Sequence, residues 1–145
     1  MSALHVVFKV ADAEYILAAA DVLQMDSYAG ATPVPGALPH VAGVVQVRGR
    51  VVPIVDLRVR FGLETAEPTL DSRVVVVELH DRTVGLLVDS AREVIKLTPE
   101  QIKPPPRMVV EGAHGFVKAV AHIGRRLLML VDFTKIIGEE AVHGR

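Results

Sequence analysis

The chain contains neither cysteine nor tryptophan, and aromatic residues account for only 4% of its 145 residues. The absence of cysteine excludes disulfide bonds, thiolate zinc ligands and cysteine nucleophiles. So few aromatic rings leave little on which nucleic-acid bases could stack. The charges nearly balance, at 16 Lys and Arg against 17 Asp and Glu, so no basic excess favours nucleic acid or an anionic membrane. These absences favour protein partners.

Long hydrophobic runs are missing as well. No apolar stretch approaches the roughly 18 residues that span a bilayer, and no basic segment followed by an apolar core marks a leader at the N-terminus. We therefore expect a cytoplasmic protein without direct membrane insertion. Half of the residues are hydrophobic. Most of these are aliphatic, with valine prominent, which excludes disorder and favours β-strands.

Two hairpins are predicted in the first half of the chain. Residues 6–10 and 15–17 are β-prone and flank a short polar connection. Residues 41–58 form two apolar runs around Gly49, the pattern of a tight hairpin. Pro53 in the second run lacks a backbone donor, so it is expected at a sheet edge or a bulge.

The segments between these hairpins are less regular. Residues 18–25 are compatible with either a helical turn or a strand, because alanine favours a helix while the short apolar run permits a strand. Residues 30–39 are rich in proline and glycine and predict an ordered surface connection.

The second half of the chain repeats the first. Residues 50–62 align without gaps on residues 126–138, and both segments contain an arginine, four apolar residues, Val-Asp and a terminal apolar-Gly pair. Each half, at about 70 residues, would be only marginally stable alone, so the two are expected to share a core. The prediction is an all-β fold of two packed lobes, about residues 6–70 and 71–138, whose termini can cross between lobes. At most short helical turns are expected, one of them at residues 133–137.

Three Val-Asp pairs end apolar runs, at Asp56, Asp89 and Asp132. Converging carboxylates could perform acid–base chemistry, which is the enzymatic alternative. An aspartate at the end of a strand also bonds the backbone amides of the following turn, and the repeat explains Asp56 and Asp132 as copies of one such device. We favour this structural role and predict no catalytic residue.

No other motif indicates an enzyme or a cofactor. The six histidines show no spacing typical of metal ligands. The chain has no GxSxG nucleophile elbow and no phosphate-binding glycine loop. We predict neither a metal site nor a cofactor site.

Four arginines, Arg48, Arg50, Arg58 and Arg60, alternate around the second hairpin. On one sheet face they could bind RNA or single-stranded DNA, so a small nucleic-acid-binding barrel is the alternative function. Arg48 lies at the predicted turn beside Gly49. From there its guanidinium could reach carboxylates of a partner or of the other lobe, and the sequence leaves both open.

The segment from Gly43 to Arg58 has the pattern G-x-x-x-x-R-G-x-x-x-P-x-x-D-L-R. In this stretch the chain resembles the CheW family of bacterial chemotaxis coupling proteins. The agreement continues through residues 85–89, 102–105 and 127–132. It therefore implies a single CheW-like domain over residues 1–145.

The resemblance implies two SH3-like β-barrel subdomains of about five strands each, without catalytic activity or cofactor. The implied partners are a chemotaxis histidine kinase, bound through its regulatory domain, and the cytoplasmic tip of a chemoreceptor in arrays at the membrane. Nucleic acid is not among them. Transferred to this sequence, the receptor-facing groove includes Val22, Gly43 and Arg48, with Gln24 beside them.

Two of these positions carry open questions. Family members often have an acidic residue where this chain has Gln24. The loss of that charge would weaken pairing with a basic receptor residue, so we expect receptor choice to differ from the typical system. Gly43 either permits close approach of a receptor helix or serves a β-bulge.

Overall fold

A computed structural model describes residues 1–112 and 114–143, with side chains described through residue 138. These residues form eleven β-strands, three α-helices and two 3-10 turns. The strands are β1 (Ala3–Val10), β2 (Ala13–Ala18), β3 (Val22–Ser27), β4 (Val41–Val47), β5 (Arg50–Asp56), β6 (Arg73–Leu79), β7 (Arg82–Val88), β8 (Ser90–Leu97), β9 (Ile102–Lys103), β10 (Val117–Ile123) and β11 (Arg126–Val131). The helices are α1 (Leu57–Arg60), α2 (Arg107–Gly112) and α3 (Phe133–His143). No helix in these ranges is long and apolar enough to cross a membrane.

The strands form two sheets. One has six strands in the order β8-β1-β2-β11-β10-β9, and the other has five in the order β3-β6-β7-β5-β4. We call them the six-stranded barrel and the five-stranded barrel. Neighbouring strands are antiparallel except for two parallel pairs, β2 with β11 and β5 with β7. The predicted all-β fold is confirmed, and the six-stranded barrel exceeds the expected five strands by the two-residue β9.

Both predicted hairpins are present. The first leaves a two-residue turn after Val10, and the second turns at Arg48 and Gly49. The ambiguous segment contains both alternatives, a 3-10 turn over Ala19–Asp21 followed by β3. Residues 33–39 lack helix and strand, as predicted for a surface connection.

The expectation for Pro53 was wrong. It lies in β5, an interior strand between β7 and β4, and the register shift of the β4–β5 hairpin is elsewhere, between Val41 and Gly43. The recorded ladder between β5 and β7 covers Ile54 to Asp56. Pro53 therefore precedes that ladder. The ladder does not need the backbone N–H that proline lacks.

The sequence repeat corresponds to a structural repeat. In sheet order, β8, β1, β2, β11 and β10 match β3, β6, β7, β5 and β4. The parallel pairs are at matching places, since Leu130 pairs with Ile16 in one barrel and Ile54 with Gly85 in the other. One hydrogen bond is repeated too. The backbone N–H of Asp56 donates at 2.8 Å to the carbonyl just before β4, and that of Asp132 donates at 2.8 Å to the carbonyl just before β10.

Each barrel contains strands from both halves of the chain. The N-terminal hairpin, β1–β2, belongs to the six-stranded barrel together with β8 to β11, whereas β6–β7 joins β3 to β5. The division expected near residue 70 falls in the loop between α1 and β6, and the strands on both sides of that loop belong to the five-stranded barrel. The two halves of the sequence have therefore exchanged hairpins.

Three apolar cores result among the described residues. One fills each barrel, and the largest lies between them and includes Phe8, Leu57 and Ile136. Burial explains the run of consecutive valines from Val74 to Val77, because all four side chains are buried. Val74 and Val76 fill the five-stranded barrel, while Val75 and Val77 face the core between the barrels. A strand buried on both faces has no polar alternation.

Asp89 joins the barrels with polar contacts. It lies between β7 and β8, where the chain passes from one barrel to the other. Its Oδ2 accepts hydrogen bonds from the backbone N–H of Ala11 at 2.7 Å and from Nη2 of Arg58 at 2.7 Å. The bond to Asp89 raises the pKa of the Arg58 guanidinium. Ala11 belongs to the β1–β2 turn and Arg58 to α1, so one carboxylate holds both barrels.

An ion network closes one end of the six-stranded barrel. Arg126 donates from Nε and Nη2 to the Glu14 carboxylate at 3.0 and 2.9 Å. It also donates from Nη1 and Nη2 to the Glu93 carboxylate at 3.1 and 2.7 Å. These bonds lower the pKa of Glu93 and raise that of Arg126. The network links β11, β2 and β8.

We predict that Arg126→Gln reduces stability in a pH-dependent way. Because Glu93 has a lowered pKa in the folded state, its contribution is complete above its ordinary value of 4.5 and is lost as the pH falls through the lower folded value. The variant should lose about 0.5–1 kcal/mol at pH 7 and less at pH 3, where protonation of Glu93 has begun to remove its contribution. Urea unfolding at both pH values measures this. Arg125→Gln, an exposed neighbour, is the control, and equal pH profiles for the two variants would contradict the prediction.

Candidate functional site

The two outer strands of the five-stranded barrel, β3 and β4, border an open groove of about 420 Å³. We call it the β3–β4 groove. Outer strands present unpaired backbone groups, which makes such a place a natural docking surface for another chain. Its lining residues are Gln24, Asp26, Ser27, Tyr28, Ala29, Gly30, Val45, Gln46, Val47, Arg48 and Val74.

On the β3 side, Gln24 lies beside a carboxylate. Alternate residues of a strand point to the same face, so Gln24 and Asp26 are neighbours. The Gln24 Nε2 donates a hydrogen bond to the Asp26 Oδ2 at 2.6 Å. Asp26 was missed in the sequence analysis, because its spacing of two residues from Gln24 becomes informative only once this segment is known to be a strand.

On the β4 side, Arg48 occupies the hairpin turn. Its φ is 51° and that of Gly49 is 80°, the two positive values of a type I′ turn. Within the described ranges, its guanidinium makes no hydrogen bond and no ion pair. The alternative in which Arg48 reaches carboxylates of the other lobe is therefore not observed, and the guanidinium is available to a partner.

Gly43 lies outside the groove and packs closely against Thr32, which belongs to a segment beside the groove. Its φ is +146°, and a Cβ added there would lie 2.2 Å from the carbonyl oxygen of Thr32. Thr32 and Val44 exchange two backbone hydrogen bonds of 2.9 Å. The β4–β5 ladder also shifts register beside Gly43. A side chain at this position would push away the segment of Ala31 and Thr32, which directly follows Gly30, one of the lining residues.

Val22 lies at the start of β3, half-buried, and packs against the core between the barrels. Gln24 and Arg48 thus come together in the β3–β4 groove. In the part of the chain that the structure describes, Val22 and Gly43 do not line it. All four predicted residues nevertheless belong to the five-stranded barrel.

The arginine stripe predicted for one sheet face does not form. Arg58 and Arg60 lie on α1 rather than on a strand. Arg58 is paired with Asp89, and Arg60 donates to the Ile136 carbonyl at 2.7 Å. The six residues of β5 that follow Arg50, about 20 Å of strand, separate this pair from Arg48 and Arg50. The stripe fails because the alternation of a strand ends where the helix begins.

The three strand-end aspartates occupy separate turns. Asp56 caps α1, where its Oδ1 accepts from the Arg58 N–H at 3.0 Å, and Asp132 accepts from the Lys135 N–H at 3.3 Å. Asp89 is the inter-barrel joint described above. Burial raises the pKa of Asp56; hydrogen bonds from the backbone N–H groups of Arg58 and Val59 oppose this shift, and the charge of Asp89 reinforces it. The predicted structural role of Asp56 and Asp132 is confirmed.

No group of three or more His, Cys, Asp or Glu side chains that could hold a metal ion occurs in residues 1–112 and 114–138. Two histidines, His5 and His40, are buried. The Nδ1 of His5 lies 3.2 Å from the carbonyl oxygen of Ala3.

Comparison with known proteins agrees with this architecture. The family model described as a CheW-like domain matches residues 4–141. The chemotaxis protein CheW of Rhizobium meliloti is 33% identical over 135 residues, covering 93% of this chain and 87% of that protein. That of Klebsiella aerogenes is 32% identical and covers 92% and 81%. The crystal structure of the scaffolding protein CheW from Thermoanaerobacter tengcongensis superposes with a TM-score of 0.88 at 28% identity, covering 97% of this chain and 96% of the other.

We predict that Gly43→Ala destabilises the protein by at least about 3 kcal/mol, because its Cβ would overlap the Thr32 carbonyl. Gly36→Ala is the matched control, since Gly36 also has a positive φ, +81°, but has nothing within 4 Å of the added Cβ. That variant should cost only the about 1–2 kcal/mol of the left-handed backbone. Urea unfolding measures both. Equal losses of stability would contradict the prediction, because they would show that position 43 needs glycine for its backbone conformation and not for lack of space.

Proposed function

The chain belongs to the family of CheW-like domains, and from this premise we propose that it is a non-enzymatic adaptor coupling a chemotaxis-type histidine kinase to chemoreceptors. Membership of the family makes it a scaffold protein of chemotaxis signalling. The finer proposal is that one surface binds the regulatory domain of the kinase and another binds the cytoplasmic tip of the receptor. This would recruit the protein from the cytoplasm to receptor arrays at the membrane.

The β3–β4 groove is the observation that supports receptor binding. It lies between two outer strands, and Arg48 at its end makes no ion pair within the described residues. On the face opposite Gln24 and Asp26, β3 also exposes Leu23 and Met25, with 53% and 40% of their surfaces accessible. A helix of the receptor could place apolar side chains against this edge and an acidic side chain near Arg48.

The mechanism of such an adaptor is geometric. Holding kinase and receptor on one rigid body converts their encounter into an intramolecular event with a high effective concentration. A change of receptor conformation that alters its contacts with the adaptor then shifts the conformational populations of the kinase. No bond is made or broken, so no catalytic residue is required.

Receptor choice would follow from the charges at the groove. Gln24 replaces the acidic residue common in the family, but Asp26 supplies a carboxylate two residues further along β3. The Asp26 Oδ2 lies 2.6 Å from the Gln24 Nε2, so this charge stands beside the tip of the Gln24 side chain. We therefore propose that a basic residue of the cognate receptor pairs with Asp26.

Arg48→Asp is expected to weaken binding of the receptor's cytoplasmic fragment at least about tenfold, a change of about 1.4 kcal/mol, because it places a negative charge where a positive one pairs. The fold should persist, since aspartate tolerates a positive φ. Calorimetric titration with receptor fragments encoded in the same genome measures this. Arg125→Asp, the same charge change in the corresponding hairpin turn of the six-stranded barrel, should leave affinity unchanged.

Binding of the kinase regulatory domain is the second measurement. Wild type and Arg48→Asp should bind it equally, because the proposed kinase surface lies elsewhere. Equal receptor affinity of Arg48→Asp and wild type would contradict the role of Arg48. A wild-type protein that binds neither the kinase domain nor any receptor fragment would contradict the adaptor proposal itself.

A further inference from the structure

The repeat makes the ends of the two barrels comparable position by position. Val47 pairs with Arg50 at the β4–β5 turn as Ile123 pairs with Arg126 at the β10–β11 turn, so Arg50 corresponds to Arg126. Gly85 corresponds to Ile16 through the parallel pairs. Two residues earlier in each strand, Thr83 therefore corresponds to Glu14.

The third partner follows from the outer strands. Glu93 pairs with Val7, which pairs with Ile16, in the six-stranded barrel. Gln24 pairs with Val76, which pairs with Gly85, in the five-stranded barrel. Gln24 thus corresponds to Glu93. The arginine is present in both barrels. In the five-stranded barrel, however, uncharged residues replace both of its carboxylate partners.

We call this end of the five-stranded barrel the Arg50 mouth. It is a space of about 190 Å³ with no carboxylate among its described lining residues, and it shares Gln24, Val47 and Arg48 with the adjoining β3–β4 groove. Its lining residues are Leu23, Gln24, Val47, Arg48, Arg50, Val52, Val76 and Thr83.

Two polar groups in the Arg50 mouth have no partner in the described part of the chain. The Oγ1 of Thr83 is buried and makes no hydrogen bond. The Arg50 guanidinium makes neither a hydrogen bond nor an ion pair there. An unsatisfied buried hydroxyl is costly, and a guanidinium is shaped to bind a carboxylate with two parallel hydrogen bonds.

We propose that the Arg50 mouth is a binding subsite for a carboxylate side chain of the partner protein, with Arg50 and Thr83 as its donors. The proposal rests on the adaptor function above and adds an acidic residue of the receptor that enters beside the β3–β4 groove. In the six-stranded barrel the corresponding arginine is saturated by Glu14 and Glu93. In the five-stranded barrel no carboxylate of the described residues binds Arg50, so a partner can supply one.

The surroundings favour a protein carboxylate over a nucleic-acid phosphate. The walls of the mouth are aliphatic, from Leu23, Val47, Val52 and Val76, and none of its lining residues is aromatic. Binding of single strands relies on aromatic stacking. An apolar wall around a charged pair instead resembles a protein interface, where exclusion of water strengthens the pair.

Thr83→Glu tests the subsite without any partner, because it restores the carboxylate of the other barrel. Relative to the size-matched Thr83→Gln, it should raise the melting temperature by about 2–4 °C at low salt. The gain should disappear in about 1 M salt, where the Debye length is about 3 Å, and in the double variant with Arg50→Gln. Equal melting temperatures of Thr83→Glu and Thr83→Gln at low salt would overturn the subsite.

Titration with the receptor fragment tests the partner. Arg50→Gln and Thr83→Glu should each weaken receptor binding about tenfold. Arg125→Gln should leave receptor affinity unchanged, and neither test variant should change the affinity for the kinase domain. Full receptor affinity of Arg50→Gln would overturn the inference while leaving the adaptor proposal intact. Failure of the wild type to bind any receptor fragment would overturn the adaptor proposal and the partner assigned here, whereas the melting comparison still decides whether a carboxylate binds. Arg50-dependent retention of a single-stranded oligonucleotide at low salt would overturn the assignment to a protein carboxylate.

Discussion

The apolar core between the two barrels is the constraint on which the structure depends. Each barrel is small, and its own interior buries few large side chains. The central core adds the aromatic series Phe8, Tyr15, Phe61 and Phe116, whose rings follow one another at 5.2–5.7 Å. It can form only when strands are buried on both faces, which explains the runs of valine. The Arg58–Asp89 pair then fixes the relative position of the two bodies at the edge of this core.

Much of the fold could be predicted because it is local. Turn residues and short apolar runs identified the hairpins, and the repeated Arg, Val-Asp and Gly positions identified the duplication. The exchange of hairpins could not be derived in the same way, since β2 and β11 pair across more than one hundred residues and nothing in their local pattern selects a partner. Pro53 was misplaced for a related reason: which side of a strand carries the neighbouring ladder depends on sheet order.

The candidate site was predictable in part. The resemblance supplied Gln24 and Arg48, which meet at the groove. The arginine stripe failed because α1 interrupts the strand after Asp56, and Asp26 was overlooked because its importance comes from contact with Gln24. Thr83 has no sequence signal of its own. Its significance appears only when the corresponding glutamate, Glu14, is seen bound to Arg126 in the other barrel.

The exchange of hairpins also governs the order in which the protein can be assembled. All strands of the five-stranded barrel lie between residues 22 and 88, so that barrel can close before synthesis of the chain is complete. The six-stranded barrel cannot, because β1 and β2 leave the ribosome well before their neighbours β8 and β11. Until then β2 carries an unpaired edge. Contacts of such separation are slow to form, and the waiting N-terminal hairpin is the part of the nascent chain most exposed to pairing with another molecule.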